Sequence, residues 1–203
     1  MSITIVDYGM GNLRSVANAL EFLGLSYSLT SDPDEVRKAD SIIIPGVGSF
    51  RSASDIFQKT GLLDAVNELV LVRERKVLGI CLGFQMLGLS SSEGGGASGL
   101  GFIPSPVRRF MPSADIKVPH VGLNDVSFPK DSLLFKGLEN PANFYFVHSY
   151  IMEYSALGGL VTTCEYIEKF VAAYENENVF GVQFHPEKSQ ASGLRLLLNF
   201  ARA

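Results

Sequence analysis

The stretch Val77-Leu78-Gly79-Ile80-Cys81-Leu82-Gly83-Phe84-Gln85-Met86-Leu87 changes structural type part-way along. Its apolar opening after Lys76 reads as a buried strand, and Phe84-Gln85-Met86-Leu87 reads as the first turns of a helix. Between the two, Gly79-x-Cys81-x-Gly83 sets a cysteine between glycines at a strand-to-helix turn. Such a turn is sharp and strained, and it lifts its central side chain above the sheet, while small neighbours let the backbone approach closely. Unpaired N–H groups at the helix start favour an anionic sulfur there. Cys81 is therefore a candidate nucleophile. The alternative role is a small buried hydrophobe, as for most free cysteines.

Outward from this turn, the chain before it alternates strand with helix. Ile3-Thr4-Ile5-Val6-Asp7 predicts a first buried strand, ending in the turn Tyr8-Gly9-Met10-Gly11-Asn12. Leu13, Val16, Ala17, Leu20 and Leu23 then keep helical spacing up to a stop at Gly24. The turn is no dinucleotide fingerprint, because the last glycine of G-x-G-x-x-G would fall on Arg14. A tight βα turn with Asn12 at a partner surface fits better. Leu25 to Leu29 predicts a second strand. In Asp32-Pro33-Asp34-Glu35, Asp32 is the expected N-cap, Pro33 the first helical residue and Glu35 the closer of a capping box. Ser41-Ile42-Ile43-Ile44 is an uninterrupted apolar strand, as in a parallel sheet covered on both faces. It runs into Pro45-Gly46-Val47-Gly48-Ser49-Phe50. A helical region, roughly Ser52 to Arg75 with a break near Gly61, leads back to the Cys81 strand. This alternation predicts an α/β fold with a mainly parallel central sheet flanked by helices.

After Leu89 the texture changes. Ser90 to Gly101 is rich in serine and glycine and reads as a loop. Short β-like runs follow at Pro106 to Met111, Lys117 to Phe128, Phe144 to Ile151, Leu160 to Cys164, Val171 to Tyr174 and Val179 to Phe184, expected as antiparallel strands added to the sheet. Glu175-Asn176-Glu177-Asn178 reads as a polar turn, and Ser189 to Ala203 as a helix with Leu194, Leu197 and Leu198 on one face. With no internal repeat, residues 1–203 are expected to form a single domain.

Composition excludes several function classes. The 203 residues are 46% hydrophobic and 19% charged, with a net charge of −4, so neither nucleic acid nor an anionic membrane surface is an expected partner. No apolar stretch reaches the ~20 residues of a membrane span and no basic region followed by an apolar run opens the sequence, so neither a span nor a secretory leader is expected. Two cysteines make no disulfide framework, which points to the reducing cytoplasm. Cys164, in Leu160-Val161-Thr162-Thr163-Cys164, reads as core. No histidine–cysteine cluster has zinc spacing, so neither metal nor cofactor is expected.

Three histidines compete as base for Cys81. His185 stands in Phe180-Gly181-Val182-Gln183-Phe184-His185-Pro186-Glu187, just past a buried strand, where α/β sheets place their sites. Pro186 turns the chain out of the sheet. In extended chain, residues two apart project to one side, so His185 and Glu187 can touch. A carboxylate beside an imidazole fixes its tautomer and stabilises the imidazolium. Neither His120 nor His148 has an acid two residues away. His148, in Phe144-Tyr145-Phe146-Val147, reads as a satisfied core or pocket histidine, and His120 as a surface or interface residue.

Cys-x-Gly-x-Gln together with His-Pro-Glu resembles the triad, or class I, glutamine amidotransferases, across essentially the whole chain. Asp7-Tyr8-Gly9-Met10-Gly11-Asn12-Leu13, Pro45-Gly46-Val47-Gly48, Pro119-His120-Val121-Gly122-x-Asn124, Tyr145-Phe146-Val147-His148-Ser149-Tyr150 and Gly181 to Glu187 narrow the resemblance to the family of glutaminase subunits of imidazole glycerol phosphate synthase. The resemblance implies the class I fold and hydrolysis of L-glutamine to glutamate and ammonia by a Cys81–His185–Glu187 triad. It implies Val47, Gly48 and Leu82 as oxyanion-hole residues, and Gly46, Gln85, Ser149 and Tyr150 around the substrate. The alternative for Gln85 is a helix-surface residue. The implied partner is a (β/α)₈-barrel subunit that uses the ammonia to make imidazole glycerol phosphate and AICAR in histidine biosynthesis. Asn12, His120, Leu123, Asn124 and Lys188 would face it.

One position departs from the family. The Pro-His-x-Gly-x-Asn segment usually carries tryptophan where this chain has Leu123, and the protein has no tryptophan. Loss of a large aromatic removes an interface hot spot or reflects a differently shaped partner. Similar glutaminases also supply ammonia for amidation of a surface-polysaccharide sugar, which is the second reading. Two readings from other classes are a catalytically silent adaptor, against which the intact triad argues, and a stand-alone thiol hydrolase, which needs no docking segment.

Overall fold

Runs of β-branched residues form a sheet, and helices with 3.6-residue apolar patterns cover both its faces, in the computed structural model, which describes residues 2–113, 116–154 and 157–203. The strands are β1 Ile3–Val6, β2 Tyr27–Thr30, β3 Ser41–Gly46, β4 Lys76–Cys81, β5 Ser90–Ser91, β6 Ala97–Ser98, β7 Val107–Arg109, β8 His120–Val126, β9 Ala142–His148, β10 Tyr150–Met152, β11 Leu160–Glu165, β12 Lys169–Asn176 and β13 Val179–Val182. The α-helices are α1 Leu13–Phe22, α2 Pro33–Lys38, α3 Phe50–Thr60, α4 Leu62–Asn67, α5 Leu82–Met86 and α6 Gln190–Arg202.

The main sheet runs in the order β11-β12-β13-β4-β3-β1-β2. Strands β13, β4, β3, β1 and β2 are parallel, and β11 and β12 continue the sheet antiparallel. Side chains alternate between its two faces. Ile3, Ile5, Ile43, Leu78 and Ile80 pack with α1 and α6, whereas Val6, Ile42, Ile44 and Val77 pack with α3 and α4. Each such fully buried aliphatic side chain contributes about 1.5–3 kcal/mol relative to exposure. The parallel half agrees with the sequence reading of an α/β class I fold.

Four local expectations are corrected. Glu35 closes no capping box: its carboxylate takes Lys38 Nζ at 3.1 Å, and the Asp32 N–H donates to Thr30 Oγ1 at 3.1 Å instead. Asp32 is the N-cap all the same, accepting the Asp34 N–H at 2.9 Å. The Ser90 to Gly101 segment holds the short strands β5 and β6 as well as loop. The later strands do not all join the main sheet: β10-β7-β5-β6 form a second sheet and β8-β9 a two-stranded ribbon. On α6 the buried stripe is Gly193, Leu196, Leu197 and Phe200, with Leu194 and Leu198 only half-buried at its edges.

The β4–α5 turn dictates its own glycines. A Cβ on Gly83 would lie 1.7 Å from the Ile44 carbonyl oxygen, so α5 packs on β3 only because that position lacks a side chain. Gly83→Ala is therefore expected to destabilise the fold by roughly 3 kcal/mol or more through overpacking against backbone. In a chain this size that is a fall of about 10 °C in melting temperature. Differential scanning calorimetry checks it, and an unchanged Tm would mean that the turn relaxes freely.

Candidate active site

The C-terminal ends of β3, β4 and β13 converge, and the site lies there. Cys81 ends β4 with φ +53° and ψ −106°, a conformation costly for a residue with a side chain and typical of functional turns. Gly46 of β3 is its register partner, so the Gly46-Val47-Gly48 loop starts directly beside the sulfur. Gly46 has no room for a side chain: a Cβ there would meet the Tyr8 hydroxyl at 2.1 Å. Helix α5 begins at Leu82, immediately after Cys81, and extends for only five residues.

His185 follows β13 and is 2% exposed. Its position is fixed from three sides, by its own N–H donating to Tyr145 O at 2.8 Å, by the Ser189 hydroxyl donating to its carbonyl at 2.6 Å, and by Ser189 Oγ accepting the Tyr145 N–H at 2.9 Å. His185 Nδ1 is 2.8 Å from Glu187 Oε1. The contact expected from the i, i+2 spacing is made, but across the 3₁₀ turn Pro186–Lys188 and not in extended chain, which corrects the physical reason for it. Burial pushes the imidazole pKa down, but the Cys81 sulfur and the Glu187 carboxylate together raise it well above the ordinary value. The imidazole is thus bonded to the carboxylate through Nδ1 and coupled to the sulfur by charge. Its Nε2 has no hydrogen-bond partner among the described residues, and Cys81 Sγ lies 3.9 Å from Val147 O. A proton passed from the sulfur to Nε2 would be stabilised there by Glu187.

Beside Cys81 a cavity of about 350 Å³ is lined by Val47, Gly48, Cys81, Leu82, Gln85, Glu93, Pro119, Val147, His148, Ser149 and Tyr150. Every residue expected at the oxyanion or substrate positions lines it except Gly46, which is buried at its edge. Gln85 is 5% exposed, which overturns the helix-surface alternative: its amide donates to Tyr150 O at 3.0 Å and to Gln183 Oε1 at 3.1 Å. The Val47 N–H donates to Met10 O at 3.4 Å, so this expected oxyanion donor is engaged with the β1–α1 turn.

Two residues escaped sequence reasoning. Gln183 is fully buried and its amide nitrogen lies 3.7 Å from Cys81 Sγ. Its only signal was membership of the Val179 to Phe184 run, where a polar residue among apolar ones needs a partner. Glu93, within the serine- and glycine-rich segment, is the carboxylate on the cavity wall, and its Oε2 accepts the Phe50 N–H at 2.6 Å. Nothing in its surroundings distinguished it.

The residues expected at an interface divide. Leu123 is 57% exposed, and Asn12 and Lys188 are exposed too. Asn12 also caps α1 by accepting the Ser15 N–H. Asn124 is half-buried. His120 is 3% exposed, which corrects its reading as a surface residue. Its ring stacks between Phe146 and Tyr166, with centroids at 4.6 and 4.0 Å.

The model of the family described as "Glutamine amidotransferase class-I" matches residues 4–202. An imidazole glycerol phosphate synthase subunit HisH from Moorella thermoacetica is 46% identical over 198 residues, covering 98% of this chain and 93% of its own. The chain belongs to the class-I glutamine amidotransferases, among the HisH subunits of imidazole glycerol phosphate synthase. HisH 1 of Campylobacter jejuni strain 81-176 is 42% identical over 98% of this chain and 99% of its own. In Arabidopsis thaliana, the chloroplastic protein named imidazole glycerol phosphate synthase hisHF is 44% identical over 98% of this chain, which spans 33% of it. Among solved structures, PurLQS of Thermotoga maritima superposes with a TM-score of 0.77 at 17% identity, covering 99% of this chain and 97% of that one. That likeness concerns the fold of this HisH-type amidotransferase alone. As a subunit, the family member implies a partner chain. Among the described residues no helix is long and apolar enough to cross a membrane.

Proposed function

We propose that this chain is one cytoplasmic glutaminase domain that hydrolyses L-glutamine to glutamate and ammonia and delivers the ammonia to a (β/α)₈-barrel synthase subunit of the histidine pathway. The observation that carries the reading is the buried His185–Glu187 pair held against Cys81 at the wall of a cavity sized for an amino acid. Cys81 Sγ attacks the side-chain amide carbon, and the developing oxyanion is met by the Leu82 N–H and by the Gly46-Val47-Gly48 loop. His185 gives a proton to the departing ammonia, leaving a γ-glutamyl thioester. It then takes a proton from the water that releases glutamate, while Glu187 holds the imidazole. Gln85, Ser149 and Tyr150 surround the amino-acid end, with the Glu93 carboxylate available to its ammonium group. The names of the relatives do not favour the surface-sugar alternative.

The docking face lies on β8. There the usual pattern is inverted: apolar Val121 and Leu123 point out, at 56% and 57% exposure, while His120 and Asn124 point in. An outward apolar pair on a strand is what a partner surface covers. Leu123 then fills with an aliphatic side chain the place that tryptophan takes in other members of the family.

Partner control follows from the Val47 bond to Met10. With that N–H engaged, one oxyanion donor is missing, and a single such donor is typically worth ~10²–10³ in rate. The lone chain is expected to release glutamate slowly and to gain about two orders of magnitude once the barrel subunit and an acceptor analogue are bound. Glutamate release is measured for the chain alone, with partner, and with partner plus analogue. Full turnover by the lone chain, unchanged by either addition, would favour the stand-alone hydrolase. No turnover under any condition, with partner binding intact, would favour the silent adaptor.

A further inference from the structure

His120 and His148 are register partners across β8 and β9, and neither has a role in the triad. His148 Nδ1 is 3.0 Å from Tyr150 O, His148 Nε2 is 3.1 Å from His120 Nδ1, and His120 Nε2 is 3.3 Å from Asn124 Nδ2. Only one arrangement of protons satisfies all three contacts with neutral rings. A carbonyl only accepts, so His148 Nδ1 carries the proton and its Nε2 accepts. His120 must then donate from Nδ1 and accept at Nε2. Asn124 completes the sense: its Nδ2 also donates to Glu165 O at 3.0 Å, which fixes its amide with the nitrogen toward His120. Burial in an aromatic sleeve of Phe110, Phe146, Tyr166 and Phe170 keeps both rings neutral, lowering His120 to about 4 and His148 to about 3.

The line continues to the nucleophile. Tyr150 O accepts from His148 and from Gln85, so both of its lone pairs are engaged, and Gln85 reaches Cys81 through Gln183. We propose that His120 and His148 are positioning residues: a directional hydrogen-bond relay from Asn124 on the docking strand to the Tyr150 carbonyl, setting Gln85 for glutamine and passing the state of β8 to the pocket. The relay rests on the glutamine pocket and docking face proposed above. Its logic is that β8 carries Leu123 outward and Asn124 inward in successive residues, so displacement of one moves the other. Each link has a fixed sense, and loss of one leaves a buried ring nitrogen unpaired.

Two substitutions at His120 separate relay from packing. His120→Phe keeps the stacked volume and removes both polar atoms. His120→Gln loses the ring but offers an N–H to His148 and a carbonyl to Asn124. In His120→Phe the glutamine KM of the lone chain is expected to rise about tenfold, the scale of one intramolecular hydrogen bond. Partner stimulation should fall by a similar factor, whereas alkylation of Cys81 by iodoacetamide, which has no amino-acid end to be positioned, stays within about twofold. His120→Gln should recover most of both losses. An unchanged KM in the Phe variant, or equal losses in the Phe and Gln variants, would overturn the relay. If wild type shows no partner stimulation, the docking reading fails while the KM comparison still decides the relay. If wild type does not hydrolyse glutamine at all, the proposed function itself has failed.

Discussion

Cys81→Ala is expected to lower glutamine hydrolysis by at least about four orders of magnitude, because members of a nucleophile–base unit cannot substitute for one another. The sulfur sits on a strained turn at φ +53°, beside the oxyanion loop and against the buried imidazole, so its removal leaves every other group in place with nothing to form the thioester. The side chain is 5% exposed, and partner binding should remain near wild type. A glutamine-derived electrophile gives the companion measurement. Mass spectrometry should find its adduct on Cys81 and not on Cys164, which is 2% exposed in β11 with its thiol pushed up to about 12 by burial. Substantial hydrolysis by the alanine variant, or labelling of Cys164 in its place, would remove Cys81 from the mechanism.

Removal of the base should cost nearly as much. In His185→Ala the thiol keeps its proton and the leaving ammonia receives none, so kcat should drop to near the level of the Cys81 variant. Glu187→Gln keeps a hydrogen-bonding oxygen near Nδ1 but loses the charge that stabilises the imidazolium, and its loss should be smaller by one to two orders of magnitude, roughly as for the orienting acid of other triads. His148→Ala is the control. His148 lines the cavity but is held neutral by burial and has its Nδ1 turned to Tyr150 O, so its loss should act chiefly on glutamine KM. Fatal loss in His148→Ala with a mild effect in His185→Ala would reverse the assignment of the base.

Some of this was legible because it depends on short-range physics. The apolar runs at Ile3 to Val6, Ser41 to Ile44 and Val77 to Ile80 have no polar face, so they belong in the middle of a parallel sheet whichever order their neighbours take. The glycines around Cys81 announce a turn too tight for side chains, and the i, i+2 spacing of His185 and Glu187 is enough to let them meet. Capping of α2 was half legible: Asp32 acts within two residues, but Glu35, equally distant in sequence from Asp32 and Lys38, pairs with the Lys38 ammonium. The later strands were recognisable one by one, while their division among three sheets was not, since pairing energy depends on partners distant in sequence.

What the sequence alone determined, then, is the nucleophile turn, the parallel half of the sheet and the His185–Glu187 contact, each set by residues a few positions apart. The tertiary structure alone decided that Gln183 reaches Cys81 across 102 positions, that Val47 gives its N–H to Met10, and that His120 turns inward onto His148 across 28. Strand alternation taken alone points the other way, since apolar Val121 and Leu123 would form the buried side of β8. Only pairing with β9 in this register, where a shift of one residue exchanges the two faces, buries the histidine and leaves the apolar pair exposed.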